Sequence, residues 1–140
     1  MDTAGQGTAT TRDEAMSLFT DYAEGFDDFD CDAVAACFAF PATLWQGGRG
    51  NTFADEDELL ENIEALLDIF EREEIVHTRF EILELTGGAE SANAVVHWRQ
   101  ERADGEVALE FSCRYLLVRD GQDHASVSYT HLTLPTILLV

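Results

Sequence analysis

The sequence predicts an α+β fold in which helices pack on one face of a curved antiparallel sheet. Three observations support this prediction. The N-terminal half has three segments whose apolar residues recur at helical spacing, and the C-terminal half has long segments that end at Gly-Gly or Asp-Gly turns. Between residues 107 and 115, apolar and polar residues alternate, which indicates a strand with one buried face. A chain of 140 residues with 46% apolar residues can bury such a core as one domain.

Three amphipathic helices are predicted before the main strands. A T-x-x-E capping box at Thr11 starts the first helix, and Gly25 with the acidic residues after it ends the helix. Asp30 caps a short second helix, which Pro41 stops because the residue before proline avoids the helical conformation. Asp55 caps the third helix, the most clearly amphipathic of the three. The residues predicted to face the core are Ala15, Leu18, Phe19, Tyr22, Phe26, Val34, Cys37, Phe38, Leu59, Ile63, Leu66, Leu67 and Phe70.

The strands are predicted from alternation and turn signals. A hairpin is expected in "ATLWQGGRGNTF", with its turn at Gly47 and Gly48. Three longer strands follow in "HTRFEILEL", "ANAVVHWRQER" and "VALEFSCRYLLVR". Each of the three is followed by a turn containing glycine, so neighbouring strands are expected to run antiparallel.

The charge balance excludes two classes of partner. The formal net charge is −20, so the field of the protein repels nucleic acid and anionic membrane surfaces. All eight basic residues are arginine, a composition typical of salt-accumulating halophiles; the alternative is a GC-rich genome combined with an ordinary acidic surface. No segment reaches the length of a membrane span or has the features of a signal peptide, so we expect a cytoplasmic protein.

The sequence predicts neither a cofactor nor a metal. It contains no P-loop, G-x-S-x-G or G-x-G-x-x-G motif, and "GGRG" is expected to be a hairpin tip. Three cysteines without C-x-x-C spacing are expected to be reduced thiols, not zinc ligands. The acidic blocks "FDDFD" and "DEDELLE" lack the D-x-D-x-D-G pattern of a calcium loop.

The order of these elements resembles that of the NTF2-like superfamily and, within it, of SnoaL-like proteins. The passages that carry the resemblance are "YAEGFDDFDCDAVAACFAFPATLW" and "VVHWRQERADGEVALEFSCRYLLVRDG", and it extends from Arg12 to Gly121. The resemblance implies a cone, in which a strongly bent sheet wraps around three helices and encloses a pocket. It also implies a homodimer formed through the outer face of the sheet.

The resemblance also implies positions for catalysis. Ketosteroid isomerases of this superfamily use a carboxylate at the end of the first strand as a base, together with a tyrosine on the first helix and a second acid on a later strand. In this sequence the tyrosine position falls on Tyr22, the base position on or beside Gln46, and the second acid near Glu110. Glutamine cannot accept a proton at neutral pH, so the isomerase mechanism does not carry over.

Two interpretations of the site remain open. In the first, Tyr22, Trp45, Gln46 and Trp98 line a pocket for a small apolar or aromatic molecule, with or without modest isomerase, cyclase or hydrolase activity. Tyr22, Glu110 and His97 are then the candidate catalytic residues. In the second, the same aromatic residues are plain core and the chain is a non-catalytic dimerisation or accessory domain. His97 alternates with Trp98, which favours an outer or dimer face for the histidine.

The C-terminal segment differs from the rest of the chain. From His124 to the end there is no Asp, Glu, Lys or Arg. The peptide "VSYTHLTLPT" resembles a translated transposase adapter from short-read sequencing, read as the codons GTC TCT TAT ACA CAT CTG ACG CTG CCG ACG. We therefore expect a flexible leader at 1–10, an NTF2-like domain at 11–125 and a non-native tail at 126–140, with the native final strand missing. The alternative is a natural Thr- and Leu-rich strand.

Overall fold

A computed structural model describes residues 12–46, 48–87, 91–119 and 125–132. It contains three helices and six strands in these ranges. The helices are α1 (Arg12–Asp27), α2 (Cys31–Ala35) and α3 (Glu56–Arg72). The strands are β1 (Phe38–Gln46), β2 (Arg49–Phe53), β3 (Ile75–Gly87), β4 (Ser91–Arg102), β5 (Val107–Val118) and β6 (Ser126–Leu132). The predicted leader, the capping residue Thr11 and residues 133–140 lie outside the described ranges.

The helix caps explain where α2 and α3 begin. The Asp30 carboxylate accepts a hydrogen bond from the Ala33 amide at 3.1 Å, as predicted for the start of α2. At the start of α3, Asp55 accepts from the amide of Glu58 at 3.0 Å, and the Glu58 side chain accepts from the amide of Ala54 at 2.8 Å. Two further acids in the first turn of α3, Glu56 and Asp57, favour the positive end of its dipole. The third helix is therefore specified almost entirely by local sequence.

Two predicted breaks are wrong. The first helix continues through Gly25 to Asp27, because Gly25 is buried where α1 crosses α2 and a Cβ there would lie 2.8 Å from a Val34 methyl carbon. Pro41 does not stop the second helix, which has already ended at Ala35; the proline lies inside β1.

The six strands form one sheet in the order β2-β1-β6-β5-β4-β3. All neighbouring pairs are antiparallel except β1 and β6, which run parallel. The predicted α+β fold with helices on a curved sheet is confirmed, but the sheet is not antiparallel throughout. The last strand enters between β1 and β5, and the direction that makes it antiparallel to β5 makes it parallel to β1. Bulges interrupt the register of β3 with β4 and of β4 with β5, which is how a long sheet bends around its helices.

The strand position predicted to be missing is occupied. β6 pairs with β1 on one side and with β5 on the other, and the amide of Val127 donates to the carbonyl of Cys37 at 2.8 Å. The residues that fill this position are those predicted to be non-native. Their origin stays a prediction, because a strand of suitable composition can occupy the slot whatever its source.

An aromatic cluster joins the helices to the inner face of the sheet. Phe19 of α1 is fully buried, and its ring centroid lies 4.9 Å from that of Tyr115 and 6.0 Å from that of Trp98. Phe26 at the end of α1 stacks on Phe70 of α3 at 5.2 Å. These contacts hold α1 and α3 over the concave side of the sheet and so define the space between them. None of the helices in the described ranges is long and apolar enough to cross a bilayer.

Candidate ligand cavity

A cavity of about 70 Å³ lies between the helices and the inner face of the sheet. Its wall combines aromatic and aliphatic side chains with a small number of neutral polar groups, the composition usual for small-molecule sites. All six strands contribute to the wall, with two or more residues each from β2, β4 and β5 and one each from β1, β3 and β6. The helices α1 and α3 supply the remaining wall residues, so the cavity depends on the whole cone. The wall residues are Tyr22, Phe26, Leu44, Asn51, Phe53, Asn62, Leu66, Phe70, Thr78, Trp98, Gln100, Phe111, Cys113, Tyr115 and Thr130.

Tyr22 and Trp98, two of the four residues expected at the pocket, both line it. Their ring centroids are 5.5 Å apart. The indole Nε1 of Trp98 donates to the Tyr115 hydroxyl at 2.8 Å, and Tyr115 in turn hydrogen-bonds Tyr22. This polar chain lies within the aromatic cluster and fixes the orientation of the rings.

The ionisable groups in the wall are neutral at physiological pH. Burial raises the pKa of the Tyr22 hydroxyl far above its ordinary value, with Cys113 and Cys37 adding to the shift. The pKa of Tyr115 is also well above normal, mainly through burial. Burial raises the pKa of the Cys113 thiol to about 12. The phenols can therefore donate hydrogen bonds, but none of these groups is an effective base or nucleophile at pH 7.

Five further neutral polar side chains complete the wall, and none of them was predicted from the sequence: Asn51, Asn62, Thr78, Gln100 and Thr130. The hydroxyl of Thr78 donates to the carboxamide oxygen of Gln100 at 2.8 Å, and both residues are about 95% buried. Asn51 of β2 and Asn62 of α3 add two more carboxamides. The available signal was strand alternation, which places Gln100 on the same face as Trp98.

Trp45 does not line the cavity, so its prediction as a pocket residue is corrected. Leu44 faces the cavity, and side chains alternate along β1, so Trp45 points to the outer face of the sheet. Its side chain is 38% exposed and lies over Gly50, where a Cβ would collide with the ring. Gln46 ends β1, and its side chain lies outside the described residues.

His97 and Glu110 also lie on the outer face, away from the cavity. The Nε2 of His97 is 2.8 Å from a Glu110 carboxylate oxygen, and its Nδ1 is 3.2 Å from the Ser112 hydroxyl. The histidine lowers the pKa of Glu110 through this hydrogen bond. Neither residue contributes to the wall around Tyr22, so the three candidate catalytic residues do not form one site.

An acidic group lies just behind the polar part of the wall. Asp27, the last residue of α1, has one carboxylate oxygen 3.2 Å from Nδ1 of His77. The other oxygen is buried and has no hydrogen-bond partner in the described part of the chain. Burial raises the pKa of Asp27, although Thr78 and His77 oppose the shift. The charged form of this carboxylate therefore destabilises the fold.

This arrangement predicts a pH-dependent gain in stability for Asp27→Asn. An Asp whose folded-state pKa is raised favours folding when protonated, and that contribution is lost as the pH rises from the unfolded pKa through the folded one. At pH 7 the variant should therefore melt about 3 °C above the parent protein, and the gain should shrink toward pH 4. Thermal melts across this pH range provide the measurement.

The control for that experiment is Asp28→Asn, which removes a neighbouring exposed carboxylate. Its melting temperature should follow the parent at every pH. Equal gains in the two variants would point to a general effect of net charge and would contradict the assignment to Asp27.

Comparisons with known proteins identify the family. Residues 13–131 match the family model described as NTF2-like protein (DUF6841). No curated protein matches the chain. The match begins one residue into α1 and extends into β6 as far as residue 131.

Solved structures show the same fold at low identity. An NTF-2 like protein of unknown function from Shewanella oneidensis MR-1 has 19% identity and a TM-score of 0.68, with 86% of this chain and 96% of that chain covered. A ketosteroid isomerase-like protein from Erwinia carotovora atroseptica SCRI1043 has 22% identity and a TM-score of 0.59, over 86% of this chain and 94% of that one. A protein with a cystatin-like fold from Nostoc punctiforme PCC 73102 has 13% identity and a TM-score of 0.70, over 89% and 78%.

These likenesses agree with the cone of helices and bent sheet described above, and the family match covers most of the chain. This chain therefore belongs to the NTF2-like protein family.

Proposed function

We propose that this protein binds a small molecule in the cavity between its helices and its sheet. The observation that carries the proposal is the composition of the wall, where neutral polar groups such as Gln100 and Asn62 interrupt an otherwise apolar lining. Burying a polar side chain costs free energy unless it is hydrogen-bonded, and a core that served only for packing would not need carboxamides at this place. A ligand with both an apolar body and a polar group would pair with such a wall.

Acid–base catalysis has little support from the same wall. No Asp, Glu or His is among the wall residues in the described ranges, and the phenols of Tyr22 and Tyr115 stay protonated. Reactions such as isomerisation need a group whose pKa lies near the working pH. We therefore infer binding without proton transfer by the side chains of the wall.

The second candidate function is a non-catalytic accessory or dimerisation domain. The small volume of the cavity favours it, since about 70 Å³ is far below the several hundred Å³ of a typical ligand pocket. Binding then requires the partly exposed side chains at the wall, Leu66 and Phe111 among them, to move apart. The two candidates therefore differ in whether the cavity opens to admit a molecule.

Titration with indole, a small uncharged aromatic probe, tests the proposal. Saturable shifts are expected in the NMR amide signals of Trp98 and its neighbours. In Leu66→Trp, the larger side chain should fill the cavity and weaken indole binding about tenfold or more, since a blocked site loses most of its apolar contact area.

The matched control is Leu60→Trp, on the same helix but outside the wall. It should bind indole as the parent does. If indole fails to saturate the parent protein, or if both variants bind equally well, the accessory-domain function is the better account.

We also propose that the protein is a homodimer that pairs through the outer face of its sheet, and that it is cytoplasmic. The outer face carries Leu116 among the charged residues Arg99, Glu110 and Arg114, so two copies related by a twofold axis can match opposite charges around an apolar centre.

Leu116→Glu should convert the dimer to a monomer in sedimentation velocity, whereas Val76→Glu, at an exposed position of β3, should not. A parent protein that sediments as a monomer would disprove the dimer.

A further inference from the structure

We infer that the cavity takes an uncharged, ring-shaped molecule whose hydrogen-bond acceptor, such as a carbonyl oxygen, pairs with the side-chain amide of Gln100. This inference rests on the proposed function and names the class of ligand. It depends on the hydrogen bonding of Gln100, on the charge of the wall and on the shape of its apolar part.

Gln100 presents hydrogen-bond donors to the cavity. Its side-chain oxygen is occupied by the hydroxyl of Thr78 at 2.8 Å, and the two residues are directly paired across β3 and β4. In the described part of the chain no acceptor pairs with Nε2 of Gln100, and the residue is only 4% exposed. Gln100 lines the cavity, and its Nε2 is not one of the fully buried side-chain atoms without a partner, so water in the cavity can reach it. A ligand oxygen placed beside Nε2 would take over that hydrogen bond. With the Thr78 hydroxyl bound to the oxygen, the Nε2 end of the carboxamide is the end left for a ligand.

The charge of the wall selects against ions. Its residues in the described ranges include no Asp, Glu, Arg or His, and burial keeps Tyr22, Tyr115 and Cys113 neutral. A charged ligand would lose its hydration without meeting an opposite charge. An anion would in addition approach a protein of net charge −20.

A cation could in principle use the aromatic faces, but the rings do not form an open cage. Tyr22 packs against Phe26 at 5.2 Å and against Trp98 at 5.5 Å, so these faces are already in contact with each other. Cation–π binding needs the cation to stand over a free ring face. A flat neutral ring can instead slide against the outermost ring and stack in the offset geometry that aromatic pairs prefer.

Four probes of similar size separate these properties: acetophenone, ethylbenzene, benzoate and benzylammonium. Each is titrated into the full chain, and binding is followed by NMR. Acetophenone, which carries a carbonyl, should bind about fivefold tighter than ethylbenzene, the factor expected for one hydrogen bond. Both charged probes should bind more weakly than ethylbenzene.

Two variants test the role of the amide. In Gln100→Met the preference for acetophenone over ethylbenzene should disappear, because both probes then meet an apolar side chain at this position. Thr78→Val, which keeps the shape but removes the hydroxyl that orients Gln100, should reduce the preference and provides a second measurement if the first variant folds poorly. Asn93→Leu removes an exposed carboxamide from the same strand and should leave the preference intact.

The outcomes distinguish the two levels of the proposal. If none of the four probes binds saturably, the proposed function fails and the ligand class fails with it. If the neutral probes bind but acetophenone has no advantage, or keeps its advantage in Gln100→Met, only the assignment to Gln100 is overturned. Tighter binding of benzylammonium than of either neutral probe overturns the uncharged class.

Discussion

Phe19→Ala is expected to cost about 3–5 kcal/mol of folding free energy, the range measured when a buried Phe is truncated. Phe19 is fully buried on α1 and touches three rings of the sheet, those of Phe80, Trp98 and Tyr115. Its loss leaves a void where the helix meets the concave face, and the surrounding rings are held by one another and can collapse only partly into it. The melting temperature should fall by about 10 °C or more.

Met16→Ala is the matched control, since Met16 lies on the same helix but is 41% exposed. That change should alter stability by no more than about 0.5 kcal/mol. Chemical denaturation of both variants gives the two free energies directly. Losses of similar size would mean that α1 is stabilised by its own helix propensity and not by its contacts with the sheet.

Features set by local sequence could be predicted well. The third helix was predicted because its caps, Asp55 and Glu58, and its apolar stripe all lie within seventeen consecutive residues and their immediate neighbours. The outward position of His97 opposite Trp98 also followed from alternation alone, and the structure confirms it. In each case the physical cause acts over a few residues of chain.

Features set by distant contacts could not be predicted in this way. Trp45 was expected in the pocket because small-molecule sites have largely apolar walls. The face on which it lies is decided by one residue of register, and Leu44 takes the inner position. The pairing of Thr78 with Gln100 joins residues 22 positions apart on different strands. Nothing in either segment alone indicates that bond, although alternation places both side chains on an inner face.

The parallel contact of β1 with β6 shows the same limit for topology. Turn signals between neighbouring strands predict antiparallel pairs, but the partner of β1 on this side comes from the other end of the chain. One side chain of β6, that of Thr130, lines the cavity. The fit of this one strand affects both the stability of the sheet and the shape of the site.

The prediction that residues 126–140 are non-native implies that the largest gain in stability comes from exchanging them for a genomically encoded continuation after Ala125. Ser126 and Thr130 are buried polar residues of β6, and the Thr130 hydroxyl has no hydrogen-bond partner in the described part of the chain. Leaving such a group unpaired costs about 1–3 kcal/mol. A strand that evolved with this sheet should place better-matched side chains there and raise the melting temperature by about 4 °C or more.

Thr130→Val in the present chain isolates the contribution of that hydroxyl. Valine has nearly the same shape, so the variant should recover about 1 kcal/mol while the rest of β6 is unchanged.

The competing interpretation of residues 126–140 is a natural strand, and the family match as far as residue 131 includes the first six residues of β6. Genomic DNA that carries the same codons in uninterrupted context would decide for that interpretation. Suppose instead that the genomic terminus differs and that restoring it does not raise the melting temperature. The side chains of β6 would then fit the sheet as well as native ones. Its contribution to stability would come from backbone pairing with β1 and β5 and not from its side chains.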